Sequence, residues 1–448
     1  MSVQFVPNDG AIGEYLKDLN IKFHSNDEFA NSYERIFNKG CKNITFIVTR
    51  NCNLRCTYCY ETHKENYPMS FDTAKRAVDF LFEEDEKQSV IINNKDADCL
   101  IMEFIGGEPL LEINLIDKIL DYFLDKAINL NHRWARNFLI SMSSNGILYF
   151  SDDVQQFLHK YKGKISMNIS IDGNKQLHDK CRLFPDGRPS YDIAMAAAKD
   201  LKEKYNQKST KITISPQNIE YLSDACINLV KELQCDVLHA NPIYEEGWKP
   251  YHAKIYYEQL KKFADYIIEN KLWNTLYTSL FRIESVFKHD DRHNQNWCGG
   301  NGRMLAFDVD GKIYPCLRFS PVSMPAHLSK NCVLGDVWTG IHGNEEFFDS
   351  LRNITWDSQN PEKCKKCTVS NGCAWCTAYN YEKFGTPNKR ATFICDLQKT
   401  NVLATVYYYN TIFKQLNYDK RVPLLLPYDE CKEYISESEY KSLQDLLN

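Results

Sequence analysis

Short apolar runs rich in β-branched residues alternate with amphipathic helical stretches through the first half of the chain. Residues 70–85, for example, repeat apolar side chains at helical spacing, and Ser70 is a candidate N-cap. Alternating strands and helices favour parallel βα units. The pattern therefore predicts an α/β fold, with residues 43–250 forming a partial (βα)6 TIM-like barrel. The six predicted strands are NITFIVT (43–49), LIMEFIGG (100–107), LISMSSNG (139–146), ISMNISIDG (165–173), KITIS (211–215) and DVLHANPI (236–243).

The rest of the chain divides by composition. Residues 1–42 form an N-terminal extension, and 251–290 read as an aromatic-rich helical bridge. Residues 291–398 contain many cysteines, Gly-rich turns and little periodicity, so we expect a small cysteine-rich domain held together by metal ligands. Residues 399–448 predict a C-terminal helix and a tail.

Overall composition restricts the class of protein. The 448 residues suffice for two or three domains. A formal net charge of -5 with 25% charged residues gives no electrostatic basis for binding nucleic acid or an anionic membrane. The N-terminus lacks a basic segment followed by an apolar run, and no window approaches about 18 uninterrupted apolar residues. We therefore expect a cytoplasmic protein with neither a nucleic-acid nor a membrane partner.

The 17 cysteines fall into groups along the chain. In the cytoplasm, thiols are more often metal ligands or catalytic groups than disulfides. Isolated cysteines are commonly small buried hydrophobic residues, and we assign that role to six of them. Cys332 stays unassigned at this point. The six isolated cysteines are Cys41, Cys99, Cys181, Cys226, Cys235 and Cys431.

The first group lies in the stretch CNLRCTYCY, directly after the first predicted strand. Three thiolates at this spacing, from Cys52, Cys56 and Cys59, can ligate three irons of a [4Fe-4S] cluster and leave the fourth iron without a protein ligand. The alternative is a structural zinc site, which needs four ligands, and His63 is the only nearby candidate for the fourth. The stretch resembles the signature of the radical SAM superfamily, including an aromatic residue, Tyr58, before the last Cys. In that family S-adenosylmethionine chelates the open iron.

Three further motifs follow predicted strands and match the same family. The resemblance implies that the two glycines of a GGEP turn let the backbone approach the cofactor and that its carboxylate accepts hydrogen bonds from the cofactor's ammonium group. The stretch SSNG offers groups for the ribose hydroxyls, and SIDGNKQLHDKCR offers polar contacts and an arginine for the methionyl carboxylate. The candidate cofactor-binding residues are Tyr58, Gly106, Gly107, Glu108, Pro109, Ser143, Asn145, Ser170, Asp172 and Arg182.

The downstream cysteines resemble the SPASM domain of radical SAM enzymes. Cys373 and Cys376 are separated by two residues, one fewer than is usual in that family. The resemblance implies two auxiliary [4Fe-4S] clusters, and therefore three in all. A zinc ribbon is the alternative for residues 364–376. One auxiliary cluster would take Cys364, Cys367, Cys373 and Cys395, and the other would take Cys298, Cys316 and Cys376.

The second of these sets lacks a fourth ligand. Related anaerobic sulfatase-maturating enzymes close this cluster with a cysteine a few residues before the position of Cys298, and the stretch FKHDDRHNQNW here has none. Either Cys332 or a histidine such as His293 supplies the ligand, or one iron is open to an outside thiolate. An open iron could bind a Cys of the substrate.

The resemblance also implies a reaction. One electron reduces the bound S-adenosylmethionine, and the 5'-deoxyadenosyl radical that results abstracts a hydrogen from the substrate. Relatives with SPASM domains mostly modify ribosomally made peptides, as the sactipeptide and ranthipeptide thioether synthases do. We expect an intramolecular thioether formed in a precursor peptide, with a flavodoxin or ferredoxin as electron donor. Residues 1–42 are too few for a complete leader-binding winged helix, so we expect recognition by a reduced element there, by a separate protein or by strand addition to an exposed sheet edge.

Three other functions share part of this pattern. A carbon-carbon crosslinking maturase shares every motif. An anaerobic sulfatase-maturating enzyme, which generates formylglycine, would need a carboxylate base and normally a fully ligated auxiliary cluster. A non-catalytic iron-sulfur electron carrier or scaffold would not need the motifs after the second and later strands.

Overall fold

The computed structural model describes residues 41–59, 61, 64–87, 89, 99–244, 247–288, 298–301, 304–373 and 375–448. All six predicted strands form. The fourth ends at Ile169, before its predicted end, because the chain turns at Ser170 into the loop that carries Asp172. The strands are β1 (Cys41–Thr49), β2 (Cys99–Gly106), β3 (Phe138–Ser144), β4 (Ile165–Ile169), β5 (Ser209–Ile214) and β6 (Val237–Pro242).

Helices follow the strands and bury their apolar faces in one continuous core. Ser70 caps the first helix as predicted, and its hydroxyl accepts a hydrogen bond from the backbone N–H of Thr73 at 3.0 Å. The helices of this half are α1 (Phe71–Glu86), α2 (Ile113–Asn129), α3 (Asp152–Lys160), α4 (Lys175–Cys181), α5 (Tyr191–Tyr205) and α6 (Leu222–Leu233).

The strands form a parallel sheet that curves into a partial barrel. β1 to β4 pair in chain order, and β5 and β6 pair with each other. A parallel bridge between Ser170 and Lys211 joins the two parts, and a short strand β7 (Tyr277–Thr278) extends the second. Successive side chains along each strand point to opposite faces of the sheet. Phe46 of β1 and Phe104 of β2 lie opposite each other and are fully buried. The predicted α/β partial barrel is confirmed.

The sheet continues into the cysteine-rich part of the chain. β8 (Met304–Phe307) pairs in parallel with the other edge of β1, and β9 (Lys312–Tyr314), β10 (Gly335–Asp336) and β11 (Gly340–Ile341) follow in antiparallel order. None of these four strands was predicted, because two to four residues are too few to show a period of two.

Helices complete the C-terminal half. The predicted helical bridge contains α7 (Pro250–Glu269), and the long helix that begins at Cys395 packs against it. Farther along the bridge, Phe281 stacks on Tyr408 of that helix, with ring centroids 4.5 Å apart. No helix within the described ranges is long and apolar enough to cross a membrane. Of the N-terminal extension, only Cys41 and Lys42 are described, and they begin β1. The remaining helices are α8 (Ala326–Ser329), α9 (Glu345–Arg352), α10 (Trp356–Gln359), α11 (Glu362–Lys365), α12 (Thr377–Phe384), α13 (Cys395–Gln415) and α14 (Glu437–Asp445).

Candidate functional site

The loop that carries the first three cysteines, residues 50–59, leaves the carboxyl end of β1 and lies against the GGEP turn. The backbone N–H of Gly107 donates to the Thr49 carbonyl at 3.2 Å, and that of Glu108 donates to the Asn51 carbonyl at 2.9 Å. A Cβ on Gly106 would lie 2.4 Å from the Thr49 oxygen, and one on Gly107 would lie 2.2 Å from the Asn51 oxygen. What approaches these glycines in the structure is therefore the backbone at the end of β1 and at the start of the cysteine loop.

The opposite side of the cysteine loop is held by the last residue of α4 and the segment that follows it. The backbone N–H of Arg55 donates to the Leu183 carbonyl at 2.7 Å, and that of Thr57 donates to the Cys181 carbonyl at 2.9 Å. The loop is thus fixed between elements that follow β2 and β4. This arrangement brings the sequence motifs of three strands to one end of the barrel.

Glu108 has protein partners for both carboxylate oxygens. One oxygen accepts hydrogen bonds from the Ser144 hydroxyl at 2.7 Å and the Leu110 N–H at 3.1 Å, and the other accepts from the Asn145 N–H at 2.8 Å. Burial raises the pKa of Glu108, and these donors oppose the rise. The carboxylate joins the ends of β2 and β3. The sequence singled out Glu108 for a cofactor ammonium and missed Ser144, whose only signal was its place on the buried side of the strand's alternation.

The neighbouring SSNG residues face different ways. Ser143 is exposed at the end of β3, whereas Asn145 is buried. The Asn145 amide donates to Asn53 Oδ1 at 2.6 Å and lies 3.9 Å from Cys52 Sγ. Asn145 therefore contacts the cysteine loop directly, and Ser143 remains open to a ligand.

Tyr58, Asp172 and Arg182 meet in one cluster. Arg182 Nε donates to Asp172 Oδ2 at 2.9 Å, and the Tyr58 hydroxyl donates to the same oxygen. The guanidinium also lies 5.4 Å from the centroid of the Tyr58 ring. Asp172 and Arg182 are both buried. Arg182, which the sequence assigned to the methionyl carboxylate of S-adenosylmethionine, is thus oriented by a carboxylate of the protein.

His178 orders the loop after β4, and the sequence did not single it out as a candidate. Its Nδ1 accepts the backbone N–H of Asp172 at 3.3 Å, and its Nε2 lies 3.0 Å from the Ser190 hydroxyl. Burial, followed by the charge of Arg182, lowers the pKa of His178 to about 4. A neutral imidazole is therefore part of the folded loop. Ser170, at the start of this loop, is half-buried at the bridge to β5.

Cys52, Cys56 and Cys59 interact with one another and with Lys64. Burial raises the pKa of Cys52 to about 11, and the Lys64 ammonium opposes that rise. A cation beside three thiols favours the thiolate form that ligates iron. In the described part of the chain no three Cys, His, Asp or Glu side chains are close enough to share a single metal ion. The donor set fits a [4Fe-4S] cluster, because its thiolates bind separate irons.

The structure brings the downstream cysteines together in the two predicted groups. In the three-cysteine group, Cys316 interacts with Cys298 and Cys376, and Cys298 Sγ lies 2.9 Å from the hydroxyl of Thr377. In the four-cysteine group, Cys373 interacts with each of the other members. The four-cysteine group comprises Cys364, Cys367, Cys373 and Cys395.

Cys332 lies next to the three-cysteine group but has hydrogen-bond partners of its own. It is fully buried in an apolar cluster with Phe319 and Phe347. Its thiol donates to the Leu328 carbonyl at 3.6 Å and has a hydrogen bond with Tyr381. Cys316 and Cys376 of the three-cysteine group pack against this same cluster. The other candidates for a missing ligand, His293 and His63, lie outside the described residues.

Comparison with known proteins identifies the family. The sequence model described as the radical SAM superfamily matches residues 46–229. Uncharacterized protein MJ0907 of Methanocaldococcus jannaschii is 30% identical over 288 residues, which are 62% of this chain and 85% of that protein. The chain belongs to the radical SAM superfamily. It is therefore an enzyme of a superfamily that uses S-adenosylmethionine and a [4Fe-4S] cluster.

Other relatives of this radical SAM enzyme include a sulfatase-maturating enzyme and a bacteriocin biosynthesis protein. The serine-type anaerobic sulfatase-maturating enzyme of Bacteroides thetaiotaomicron is 25% identical over 354 residues, covering 72% of this chain and 78% of that one. The antilisterial bacteriocin subtilosin biosynthesis protein AlbA of Bacillus subtilis is 24% identical over 374 residues, covering 81% and 72%. These similarities place the chain among radical SAM peptide and sulfatase maturases.

Solved structures share the fold. Native anSMEcpe with bound AdoMet and Kp18Cys peptide superposes with a TM-score of 0.59 at 20% identity, covering 84% of this chain and 98% of that one. Streptococcus suis SuiB bound to precursor peptide SuiA has a TM-score of 0.53 at 14% identity, covering 88% and 84%. The likeness extends through both halves of the chain.

Proposed function

We propose that this enzyme abstracts a hydrogen from a ribosomally made precursor peptide and forms an intramolecular thioether from a Cys of that peptide. The observation that carries the proposal is the group of three thiols, Cys298, Cys316 and Cys376. The neighbouring Cys332 thiol is hydrogen-bonded to the Leu328 carbonyl and to Tyr381. Three thiolates leave one iron of a cubane available to an outside ligand.

The first cysteine loop would hold the [4Fe-4S] cluster that binds S-adenosylmethionine, through Cys52, Cys56 and Cys59. When bound, these groups supply a 5'-deoxyadenosyl radical, which takes a hydrogen atom from the peptide. Gly107 and Glu108 hold the start of the loop, since their backbone N–H groups donate to Thr49 and Asn51. The Glu108 carboxylate joins this turn to the end of β3, and Gly106 and Pro109 complete the turn.

The remaining candidate residues divide between contact and positioning. Ser143 and Asn145 would contact the ribose, and Ser170 would be a polar contact. Arg182 would face the methionyl carboxylate. Asp172 and the Tyr58 hydroxyl would orient its guanidinium, because the ion pair fixes the plane in which its donors point.

The cysteine-rich part would be a SPASM domain with two auxiliary clusters. A substrate Cys that completes the three-cysteine group would lose its thiol proton to solvent. The hydrogen atom taken from the partner carbon leaves in 5'-deoxyadenosine, and the surplus electron passes to the auxiliary clusters. Cys364, Cys367, Cys373 and Cys395 would form a closed site that needs no outside ligand.

The proposed domain organisation and partners are those expected from the sequence. The barrel would span 43–250, the helical bridge 251–290 and the SPASM domain 291–398, with 1–42 and 399–448 as extensions. The partners would be a precursor peptide and a flavodoxin or ferredoxin in the cytoplasm.

The first experiment tests the cofactor chemistry. Anaerobically reconstituted protein with dithionite and S-adenosylmethionine should release 5'-deoxyadenosine, and Cys56→Ala should not. Cys181→Ala is a matched control, because this cysteine is adjacent to the loop but outside the three ligands. Release by the Cys56 variant, or zinc in place of iron in native protein, would refute the assignment.

The second experiment identifies the bond, with a short Cys-bearing peptide encoded next to the enzyme as substrate. A thioether lowers the product mass by two hydrogens and blocks alkylation of the substrate Cys. A carbon-carbon link gives the same mass loss but leaves the thiol free. Formylglycine, which the similarity to sulfatase-maturating enzymes makes the second candidate, would appear as a carbonyl that reacts with hydrazine reagents.

A further inference from the structure

Arg390 lies beside the four-cysteine group, although no sequence motif marks it. Arg390 is buried, with 6% of its surface exposed. Nη1 donates to Asn360 Oδ1 at 2.9 Å, and Nη2 donates to the Cys373 carbonyl at 2.7 Å. The guanidinium also lies 4.6 Å from the centroid of the Trp375 ring. These contacts hold a permanent cation in one orientation next to a ligand residue.

The charge of Arg390 acts on the ligand thiols. The guanidinium interacts electrostatically with the thiols of Cys364 and Cys395. Its hydrogen-bond acceptors at Asn360 and Cys373 are neutral oxygens, and they orient the guanidinium. A charge buried in the protein interior is screened far less than one in water.

We infer that Arg390 raises the reduction potential of the auxiliary cluster held by the four-cysteine group, an inference that rests on the proposed function. The potential of an iron-sulfur cluster depends on net charge, hydrogen bonding and exposure. A fixed cation stabilises the added negative charge of the reduced state. Arg390 thereby makes this site the better acceptor for the surplus electron of product formation.

The test is an EPR-monitored redox titration of the reconstituted full chain. The signal of this cluster is the one that Cys395→Ala lacks. Arg390→Gln should shift its midpoint potential to a more negative value, because the cation is lost. Arg390→Lys should stay near the native potential, because it keeps the charge. The potentials of the other two clusters should not change in either variant.

Lys363→Gln is the matched control. Lys363 also interacts with Cys364 and Cys395, but its side chain is exposed, so water and salt screen its charge. Removing this charge should shift the potential less than Arg390→Gln does. An equal shift for both variants would overturn the inference, because it would assign the effect to overall charge.

Asn360→Asp provides a second variant that leaves Arg390 in place. A carboxylate 2.9 Å from Nη1 would neutralise the guanidinium, so the potential should again become more negative. If the Arg390→Gln protein fails to assemble the cluster, the potential of the Asn360→Asp protein tests the inference. An unchanged potential in a fully loaded variant, or loss of the cluster in both variants, would overturn the inference. A native protein that binds no such cluster, measured by iron and sulfide content, would instead refute the proposed function.

Discussion

Arg50 Nη2 lies 2.8 Å from Asp308 Oδ2, and this ion pair joins the first cysteine loop to the C-terminal part of the chain. Arg50 follows β1, and Asp308 follows β8. Both residues lie at the same end of the sheet, because β1 and β8 pair in parallel, with Phe46 opposite Phe307. The pair thus fastens the loop two residues before Cys52.

Asp308→Asn should destabilise the protein. The Asp308 side chain is fully buried and that of Arg50 is 18% exposed, so removing one charge leaves the other poorly solvated, at a cost of about 3 kcal/mol. Denaturant unfolding followed by circular dichroism measures this cost. Asp310→Asn is the control, since Asp310 lies 3.4 Å from Arg50 and is partly exposed, and should cost roughly 1 kcal/mol or less. Equal costs would contradict the importance of the buried pair.

Gly107→Ala should displace the cysteine loop. The new Cβ would lie 2.2 Å from the Asn51 carbonyl oxygen, so the backbone has to move. We expect less iron in the first cluster and a fall in 5'-deoxyadenosine release on the order of a hundredfold, because reacting groups are misplaced. Gly187→Ala is the control. An alanine at its φ of +84° should lower the free energy of unfolding by about 1 kcal/mol, but no atom lies within 4 Å of the added Cβ. Normal release by the Gly107 variant would refute a fixed loop.

The two serines of SSNG should separate stability from cofactor binding. Ser144→Ala removes a donor from buried Glu108 and should lower the free energy of unfolding by about 1–3 kcal/mol. Ser143→Ala should leave stability unchanged and raise the dissociation constant for S-adenosylmethionine roughly fivefold, the loss of one hydrogen bond. Unfolding curves and equilibrium binding measure the two effects. The reverse result would exchange the proposed roles.

His178 should make stability depend on pH below neutrality. The unfolded histidine binds a proton near its usual pKa of 6.5, whereas the folded one binds it only near 4. The free energy of unfolding therefore decreases as pH falls from about 6.5 to 4, by about 3 kcal/mol for this group. His178→Gln should remove that part of the slope, and exposed His159→Gln should keep it. Parallel curves for native protein and the His178 variant would contradict the buried neutral state.

Local patterns in the sequence predicted much of this protein. Six strands follow from apolar runs, because side-chain periodicity is a property of neighbouring residues. The cysteine groups could also be predicted from neighbouring residues. The close spacings within 52–59 and 364–376 limit how far apart the thiols can lie. The partial barrel follows from alternation of strands and helices.

The tertiary structure decided which partner each polar group has. Glu108 binds Ser144 from another strand, Arg182 pairs with Asp172, and β8 joins the edge of β1 across more than 200 residues. Arg390 meets the four-cysteine group only after the chain has folded back on itself. A sequence pattern reports the period of its own segment, whereas these contacts depend on how distant segments pack and on the cost of leaving a buried charge unpaired.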